Sequence, residues 1–487
     1  MKARRFLFRA PTIFGTPLKY GAPVFIGFTV IVSGLSDAHG GDILRGGSAS
    51  SRPKPGRASA AADTPDATDA ARANAKDTLA RTTRTLDAMR AMQNAARNAA
   101  LANSTNHLTV NLPAVPNGLG AGALNPTANP AKWTGANAPV QTVKNGKTTV
   151  TIKQTTQQAL LEWQTLNVGK KTTLTFDQTK GGESASQWIA FNKITDPTGN
   201  PTQILGNIKA DGQVYLINQN GIIFGGSSQV NARGLTASSL PINENLIANG
   251  LLNNPNREFL FDGLGKGKNG DITVQAGAKI TSPVSADGNG GRVMLVGANV
   301  TNEGTISTPA GQTMLAGGLQ VGIAAHLGSD PGLRGLDTYV GAMVDPSVSG
   351  NPYAGAVTNS GLIEAARANV TLTGKEVNQL GVIESTTSVS LNGRIDLLAN
   401  YGAVANAKYN ADGTQGNPFL YQSTGGVTLG NGSLTRILPE YGSKDKVVGT
   451  ELALRSQINL QGRTIHLDED STIFAPNAKV SLQAGKW

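Results

Sequence analysis

The sequence predicts an all-β solenoid, a parallel β-helix, on three observations. After residue 107 the chain consists of apolar runs of three to six residues separated by Gly, Asn and Asp-Gly, which is typical of short strands joined by turns. A similar segment returns with a period near 20 residues, the length of one β-helix coil. The composition combines 60 glycines with only 5% aromatic residues in 487, which suits tight corners and a narrow aliphatic interior.

Short strand-like runs recur throughout this region. The clearest are Thr148–Ile152, Thr172–Phe176, Val214–Ile217, Ile272–Val274, Val293–Val296, Val370–Leu372, Val389–Leu391 and Lys479–Leu482. Residues 111–487 would give roughly 15–17 coils spaced ~4.8 Å apart. The segment Val321–Ala356 interrupts the period, so we expect an extruded loop or hairpin there.

The internal repeat is clearest in three segments. Val300–Ile306, Val357–Ile363 and Val377–Ile383 each begin with Val, contain Asn and Gly, and end in Ile. The asparagines at 359 and 378 are 19 residues apart, and an apolar residue follows each segment, namely Met314, Leu372 or Leu391. We interpret the Asn and Gly as corners, because both residues accept left-handed backbone conformations.

The first 38 residues have the order of a secretory signal peptide. A basic segment without acidic residues precedes the apolar stretch Ala22–Leu35, which is shorter than the roughly 20 residues of a membrane-spanning helix. Small residues at Ser36 and Ala38 then predict cleavage after Ala38. A retained membrane anchor is the alternative interpretation.

Residues 39–105 form a predicted leader, first flexible and then helical and rich in Ala and Arg. One side of the predicted helix would contain Leu79, Leu86, Met89, Met92 and Ala96. The helix would either pack on a partner or act only as a spacer. Residues 1–110 hold 15 basic and 7 acidic side chains, a net charge of +8 out of the total of +10. The remaining body is nearly neutral, so we expect no nucleic-acid partner.

Few residues could support catalysis or metal binding. The chain has no cysteine and four widely spaced histidines, His39, His107, His326 and His466. The acidic triplet at 468–470 fits a solvated turn, and Gly263–Asn269 lacks the spacing of a phosphate-binding loop. We therefore predict no enzyme, cofactor or metal. The alternative is a secreted β-helical polysaccharide-active enzyme, which would need clustered carboxylates on stacked coils.

The most informative stretch runs from Phe191 to Leu240. It reads as short strands joined by turns, with Asp211-Gly212 interpreted as a hairpin-type turn and Asn218-Gln219-Asn220-Gly221 as a tight corner. Gly225-Gly226 closes the next turn. The stretch contains no nucleophile, general base or set of metal ligands.

This stretch resembles the N-terminal secretion domain of the filamentous haemagglutinin family, the exported partner of two-partner secretion (TPS) systems. The family's elements occur here in order as Asn192-Lys193-Ile194, Thr202–Ile208, Gly212–Gly225 and Val230–Ser239. Lys193 stands where the family usually has Arg, and Gln219 where it usually has Pro. The likeness extends over roughly 140–487.

The resemblance implies a right-handed parallel β-helix that is secreted or exposed at the cell surface. Its implied partner is an outer-membrane β-barrel transporter whose periplasmic POTRA domains recognise the secretion domain. The implied role is that of an adhesin or haemagglutinin, with host-cell or surface receptors as further partners. The chain would meet a membrane only during export.

Carried onto this sequence, the resemblance places the TPS secretion domain at 106–260. Further coils of a short or truncated member follow at 261–487. The corner that the family needs for secretion is assigned to Asn218, Gln219, Asn220 and Gly221. The residues that support this segment are Asn192, Lys193, Gly206, Gly212 and Gly225.

Overall fold

The computed structural model describes residues 112–485, apart from 286–287, 327–333, 349–353, 389, 410–415, 441–454 and 477. The predicted signal peptide at 1–38 and the predicted leader at 39–105 lie outside the described residues. No helix within the described ranges combines the length and the apolar character needed to cross a membrane.

Short strands make up most of the regular structure. The first eighteen are β1 Leu124–Pro126, β2 Trp133–Thr134, β3 Val140–Lys144, β4 Lys147–Lys153, β5 Gln158–Leu166, β6 Thr172–Asp177, β7 Ile189–Ile194, β8 Thr202–Ile204, β9 Asn207–Asn218, β10 Ile222–Phe224, β11 Gln229–Ser238, β12 Phe261–Asp262, β13 Ile272–Val274, β14 Lys279–Thr281, β15 Arg292–Gly297, β16 Val300–Asn302, β17 Thr305–Ser307 and β18 Gln312–Gly317.

The remaining described strands are β19 Gln320–Ala325, β20 Leu336–Val340, β21 Ala356–Asn359, β22 Leu362–Ala365, β23 Asn369–Thr373, β24 Glu376–Gln379, β25 Val382–Thr387, β26 Arg394–Leu398, β27 Asn400–Tyr401, β28 Val404–Ala405, β29 Phe419–Leu420, β30 Ser423–Thr424, β31 Gly426–Leu429, β32 Leu434–Pro439, β33 Gln457–Gln461, β34 Thr464–Leu467, β35 Thr472–Phe474 and β36 Lys479–Gln483. Helical structure in the described part consists of α1 Glu244–Asn249 and 3-10 turns at Pro130–Lys132 and Thr179–Gln187.

The strands form three parallel faces of one solenoid. Face A runs through β4, β6, β9, β11, β14, β17, β22, β25, β32 and β35. Face B runs through β5, β7, β9, β11, β15, β18, β23, β26, β33 and β36. Face C runs through β8, β10, β13, β16, β21, β24, β31 and β34. Each strand pairs with its counterpart one coil earlier and one coil later, so the predicted parallel β-helix is confirmed.

The interior follows from alternation along each strand. In β6, Thr172, Leu174 and Phe176 are buried, while the residues between them are partly exposed. One continuous apolar cluster fills the interior from Leu124 to Leu460. Its members are mostly Val, Ile, Leu and Ala, which fit between faces that converge at narrow corners.

The repeat in the sequence is confirmed, with one register error. Two columns of side chains stack along the helix, Val300, Val357 and Val377 in one and Ile306, Ile363 and Ile383 in the other. The predicted match of Asn359 with Asn378 is wrong by one residue, because Asn359 pairs with Gln379. The period at this step is therefore 20 residues, as the pairing of Val357 with Val377 shows.

These amides lie inside the helix rather than at its corners, contrary to our prediction. Asn302 Nδ2 donates to Asn359 Oδ1 at 2.7 Å, and Asn359 Nδ2 donates to Gln379 Oε1 at 2.7 Å. A carboxamide both donates and accepts, so amides stacked at coil spacing can satisfy one another in a buried position.

The apolar residues predicted to follow each repeat are only partly right. The stacked interior column is Leu315, Leu372 and Leu397. Met314 instead belongs to a cluster on the outer side of face B, because it is one residue out of register with the interior position. Ser390 and Leu391 lie outside any strand, so the predicted strand Val389–Leu391 is wrong at these two residues; residue 389 lies outside the described residues.

Insertions explain why the predicted number of coils is wrong. Within the described residues face C has eight strands, against roughly 15–17 predicted coils. The described parts of segments 239–271, 318–355 and 399–425 lie outside the three faces, between one coil and the next. The extruded hairpin expected in Val321–Ala356 is confirmed as the antiparallel pair β19–β20, which β12 extends.

Candidate functional site

Most of the predicted site residues lie around the corners of the coil that β9 and β10 form, whereas Asn192 and Lys193 lie on β7 of the preceding coil. The first half of β9 pairs with β6 on face A, and its second half pairs with β7 on face B. The interpretation of Asp211-Gly212 as a hairpin turn is wrong, because both residues lie inside β9, where the strand bends from one face to the next. Both neighbours run parallel to β9, so the chain continues forward through this bend.

The supporting glycines lie at three separate bends. A Cβ on Gly206 would lie 2.3 Å from the carbonyl oxygen of Thr172, and one on Gly212 would lie 2.5 Å from that of Trp188. The N–H of Gly225, which follows β10, donates to the carbonyl oxygen of Ile204, the last residue of β8, at 2.8 Å. Neighbouring backbone approaches Gly206 and Gly212 too closely for any side chain.

Asn218 to Gly221 form the turn between face B and face C. The N–H of Gly221 donates to the carbonyl oxygen of Asn218 at 2.9 Å. The N–H of Asn220 donates to Oδ1 of Asn218 at 3.0 Å, so the side chain supports the same turn. Gly221 has a φ of 104°, a conformation that favours glycine.

Two asparagines tie this corner to the segment before it. Asn218 is buried, and its Nδ2 donates to Oγ1 of Thr202 at 3.0 Å. Asn220 Nδ2 donates to the carbonyl oxygen of Asp196 at 2.8 Å. The N–H of Thr202 also donates to the carbonyl oxygen of Gly221 at 3.0 Å. The corner and the 196–202 segment are therefore cross-linked by side chains as well as by backbone.

Gln219 ties the corner to the loop at 263–271 in the following coil. Its carbonyl oxygen accepts from the N–H of Gly270 at 2.8 Å. Its Nε2 donates to the carbonyl oxygens of Lys266 and, at 3.4 Å, of Lys268. The four corner residues thus join three segments into one surface.

Asn192 has a different environment, inside the helix. Its Oδ1 accepts from the indole Nε1 of Trp163 at 2.9 Å. Its Nδ2 donates to the carbonyl oxygens of Ala190 and Tyr215, both at 3.1 Å. Asn192 therefore joins β5, β7 and β9 as a fully partnered interior amide.

Burial raises the pKa of Tyr215, so its phenol remains neutral at physiological pH.

Lys193, the residue after Asn192, points to solvent. Its Nζ lies 3.2 Å from Oε1 of Glu244, and the two side chains are 56% and 78% exposed. Glu244 begins α1, which Asn243 caps through its side-chain oxygen. An ion pair this exposed contributes little to stability, so its charge is available to a partner.

The structure brings Asn218, Gln219, Asn220 and Gly221 together in one corner. Lys193 lies beside it, opposite Ile217, whereas Asn192 is interior and the three supporting glycines lie at other bends. Sequence reasoning missed the 196–202 segment and the 263–271 loop as parts of the corner. The loop had a sequence signal in Gly263–Asn269, but nothing in that pattern indicated what it would contact.

The corner's polar groups are hydrogen-bond donors and acceptors rather than acids or bases. Its four residues present carboxamides and backbone groups and no ionisable side chain. Across the described ranges, no group of three or more His, Cys, Asp and Glu side chains is placed to hold a metal ion.

Comparisons with known proteins point to one family. Residues 126–397 match the family model of the TPS secretion domain. The chain is 27% identical over 260 residues to a heme/hemopexin-binding protein of Haemophilus influenzae, covering 52% of this chain and 25% of that protein. A second heme/hemopexin-binding protein from Haemophilus influenzae is 37% identical over 101 residues, covering 20% and 10%. The chain therefore spans a quarter or less of the length of these curated relatives.

A solved structure is also similar. The crystal structure of the HMW1 secretion domain from Haemophilus influenzae aligns with 72% of this chain and 98% of its own chain. The sequence identity is 18% and the TM-score is 0.37.

Proposed function

We propose a function for this chain from the fact that it belongs to the TPS secretion domain family. A cognate outer-membrane transporter recognises this segment and thereby exports the two-partner secretion exoprotein that contains it. The observation that supports this most is the family match over 126–397. That range contains the corner at 218–221 and both segments tied to it. The corner's amides and backbone groups suit recognition by another protein.

The proposed route begins with the predicted signal peptide, cleaved after Ala38, which delivers the chain to the periplasm. POTRA domains of the transporter then bind the secretion domain, and its β-barrel passes the chain outward. A parallel β-helix suits this route, because each coil pairs only with the coils before and after it. The later coils can therefore fold outside the cell one at a time, onto the first coils that the transporter has already bound.

Within this route, we assign recognition to the corner formed by Asn218, Gln219, Asn220 and Gly221. Three chain segments meet there through hydrogen bonds, so the corner has one defined shape once the first coils have formed. Asn192, Gly206 and Gly212 would act indirectly, by holding the coil that presents the corner. Lys193 would add an exposed positive charge near it.

For the whole protein we propose a secreted or surface-exposed exoprotein with an adhesin- or haemagglutinin-like role and no enzymatic activity. The matched relatives are described as heme/hemopexin-binding proteins. The alignments cover a quarter or less of their length, so the proposal assigns neither ligand to this chain.

The test is to express the full chain with and without a candidate TPS transporter from the same genome. Periplasm, cell surface and medium are then probed separately for the protein. Transporter-dependent appearance outside the cell is the expected result. A transporter without its POTRA domains is the matched control and should leave the chain in the periplasm.

Retention in the periplasm beside an intact transporter, with a known exoprotein of that transporter exported in parallel, would contradict the proposal. Purified protein is also incubated with pectin and glycan substrates, and we expect no release of reducing ends. Release would favour the alternative, a polysaccharide-active enzyme.

A further inference from the structure

A cleft of about 310 Å³ lies between the extruded hairpin β19–β20 and the outer surface of face B. Strands β18, β23, β26 and β33 contribute its floor, and the insertion at 399–425 contributes a second wall. We call it the hairpin cleft. None of the predicted secretion residues lines it.

The floor of the hairpin cleft is polar although it is buried. Gln312, Asn369 and Arg394 occupy one row across β18, β23 and β26, and Thr371 and Asp396 occupy another. Asn369 is 2% exposed and Asp396 is 3% exposed. Outward side chains on a solenoid face normally contact water, and here the hairpin covers them. A contact that served only to pack the hairpin on face B would contain apolar side chains, whereas this surface is polar.

Each aspartate in the described lining lies beside a basic side chain. Arg394 Nε lies 2.7 Å from Oδ2 of Asp396, and Asn459 Nδ2 donates to the other carboxylate oxygen at 2.7 Å. His326 Nδ1 lies 2.9 Å from Oδ2 of Asp337. Both aspartates of the described lining therefore have a basic partner, which disfavours a cationic ligand.

The second arginine of the lining is engaged with backbone. Arg334 donates to the carbonyl oxygens of Arg367 and, at 2.9 Å, of Asn392. With its charge included, the two arginines balance the two aspartates. The described lining therefore has no excess of either sign with which to select a strongly charged ligand.

One wall is aromatic. The rings of Tyr339 and Tyr421 stack with centroids 5.3 Å apart, and Phe419 lies 5.4 Å from Tyr339. The hydroxyl of Tyr421 donates to the carbonyl oxygen of Thr338, which fixes the ring. Burial raises the pKa of Tyr339 and Tyr421, so both phenols stay neutral.

We propose that the hairpin cleft binds a neutral, hydroxyl-rich ligand, the end of an oligosaccharide. Amides, hydroxyls and charged pairs beside aromatic rings match a sugar, whose hydroxyls both donate and accept while its C–H face packs on rings. A cavity of about 310 Å³ is at the small end of ligand pockets, with room for about one or two sugar rings. This proposal is independent of export and adds a ligand class to the folded protein.

Two atoms of the lining residues support a polar ligand. The Oδ1 atoms of Asn369 and Asn400 are buried and have no hydrogen-bond partner among the described residues. A buried acceptor without a partner is unfavourable, and a hydroxyl group entering the cleft could supply the missing donor after a small side-chain rotation.

The test uses the full secreted chain and a panel of neutral oligosaccharides, with sulfated and carboxylated glycans as charged counterparts. A glycan array selects the best sugar, and calorimetry measures its Kd. Gln461 and Gln457 provide a matched pair, because both face outward on β33 and only Gln461 lines the cleft. Asn417→Ala, at the exposed rim, is a second variant that should leave the fold intact.

We expect a neutral sugar to bind, with Gln461→Ala and Asn417→Ala each weakening it about fivefold, the effect of one lost hydrogen bond. Gln457→Ala should bind like the wild type. The proposal is overturned if no neutral sugar binds, if only charged glycans bind, or if Gln457→Ala weakens binding as much as Gln461→Ala.

Discussion

Two corners on the same edge of the helix turn the chain from face B to face C in different ways. At Asn218–Gly221, three side-chain amides bind other segments. At the corner two coils later, Asn299 alone has that role, with its Nδ2 donating to Oδ1 of Asp271 at 3.0 Å and its Oδ1 accepting from the N–H of Ala356 at 3.0 Å.

The backbone is alike at both corners. Gly270 donates to the carbonyl oxygen of Gln219 at 2.8 Å, Ala298 to that of Gly270 at 3.2 Å, and Gly355 to that of Ala298 at 2.8 Å. A ladder of backbone hydrogen bonds is therefore sufficient to build a corner. The extra amides at 218–221 hold two neighbouring loops in place, and this defined shape is what our export proposal requires.

The largest expected change in the free energy of unfolding comes from removing a buried side-chain amide, Asn192 in an early coil or Asn302 in a later one. Replacing Asn192 with Ala removes three buried hydrogen bonds, and we expect a loss of roughly 3 kcal/mol in the free energy of unfolding. Asn302→Ala is the matched variant in the amide ladder. Its side chain makes one hydrogen bond within the described residues, so we expect roughly 1–2 kcal/mol.

Urea denaturation of both purified variants measures the difference. A loss at Asn302 as large as that at Asn192 would mean that number of partners does not set the cost, and it would remove the distinction between the two regions.

The next effect concerns corner glycines. Gly221→Ala should cost about 2 kcal/mol, because its φ is 104° and its new Cβ would lie 2.7 Å from the backbone oxygen of Asp271. Gly355→Ala shares the positive φ, at 108°, but its Cβ meets the sulfur of Met343. A flexible methionine can move, so we expect about 1 kcal/mol there.

Thermal midpoints of the two alanine variants test this pair. A lower midpoint for Gly355→Ala than for Gly221→Ala would contradict this expectation, because Met343 would then yield no more easily than the backbone at Asp271.

The smallest effect should come from Gln219. Gln219→Ala removes hydrogen bonds from a partly exposed side chain to the loop at 263–271, so we expect a loss of less than about 1 kcal/mol. Gln219→Pro introduces the residue usual in the family and keeps the carbonyl that accepts from Gly270. Gln219→Ala should lower transporter-dependent secretion modestly, because the corner loses one of its ties, and Gln219→Pro should be exported like the wild type. Wild-type secretion of Gln219→Ala would remove this side chain from the recognition corner.

The regular coils could be predicted from sequence because their signals are local. Val357 and Val377 recur at the coil length, and apolar residues alternate along strands such as β6. The corner at 218–221 was equally visible, since Asn and Gly prefer turns. Its partners were not, because the contacts of Asn220 with residue 196 and of Gln219 with residues 266–268 depend on which loops the coils bring together.

Two errors have the same physical origin. Asp211-Gly212 has the sequence of a hairpin turn, but the parallel neighbours β6, β7 and β11 carry it forward as a bend within β9. Asn359 has the preference of a corner residue, but stacking between Asn302 and Gln379 makes the interior favourable for it. In both cases pairing between coils outweighs local preference.

The most direct test of the central claim compares export of two corner variants with the transporter present. Asn218→Ala/Asn220→Ala removes the side-chain ties to the 196–202 segment, whereas Asn299→Ala removes the side-chain ties of the later corner. Export is divided by the folded fraction of each variant, measured by protease resistance. The account predicts about tenfold lower corrected export for the double variant and wild-type export for Asn299→Ala, the equivalent of about 1.4 kcal/mol in recognition. Equal corrected export of the two variants would contradict the account.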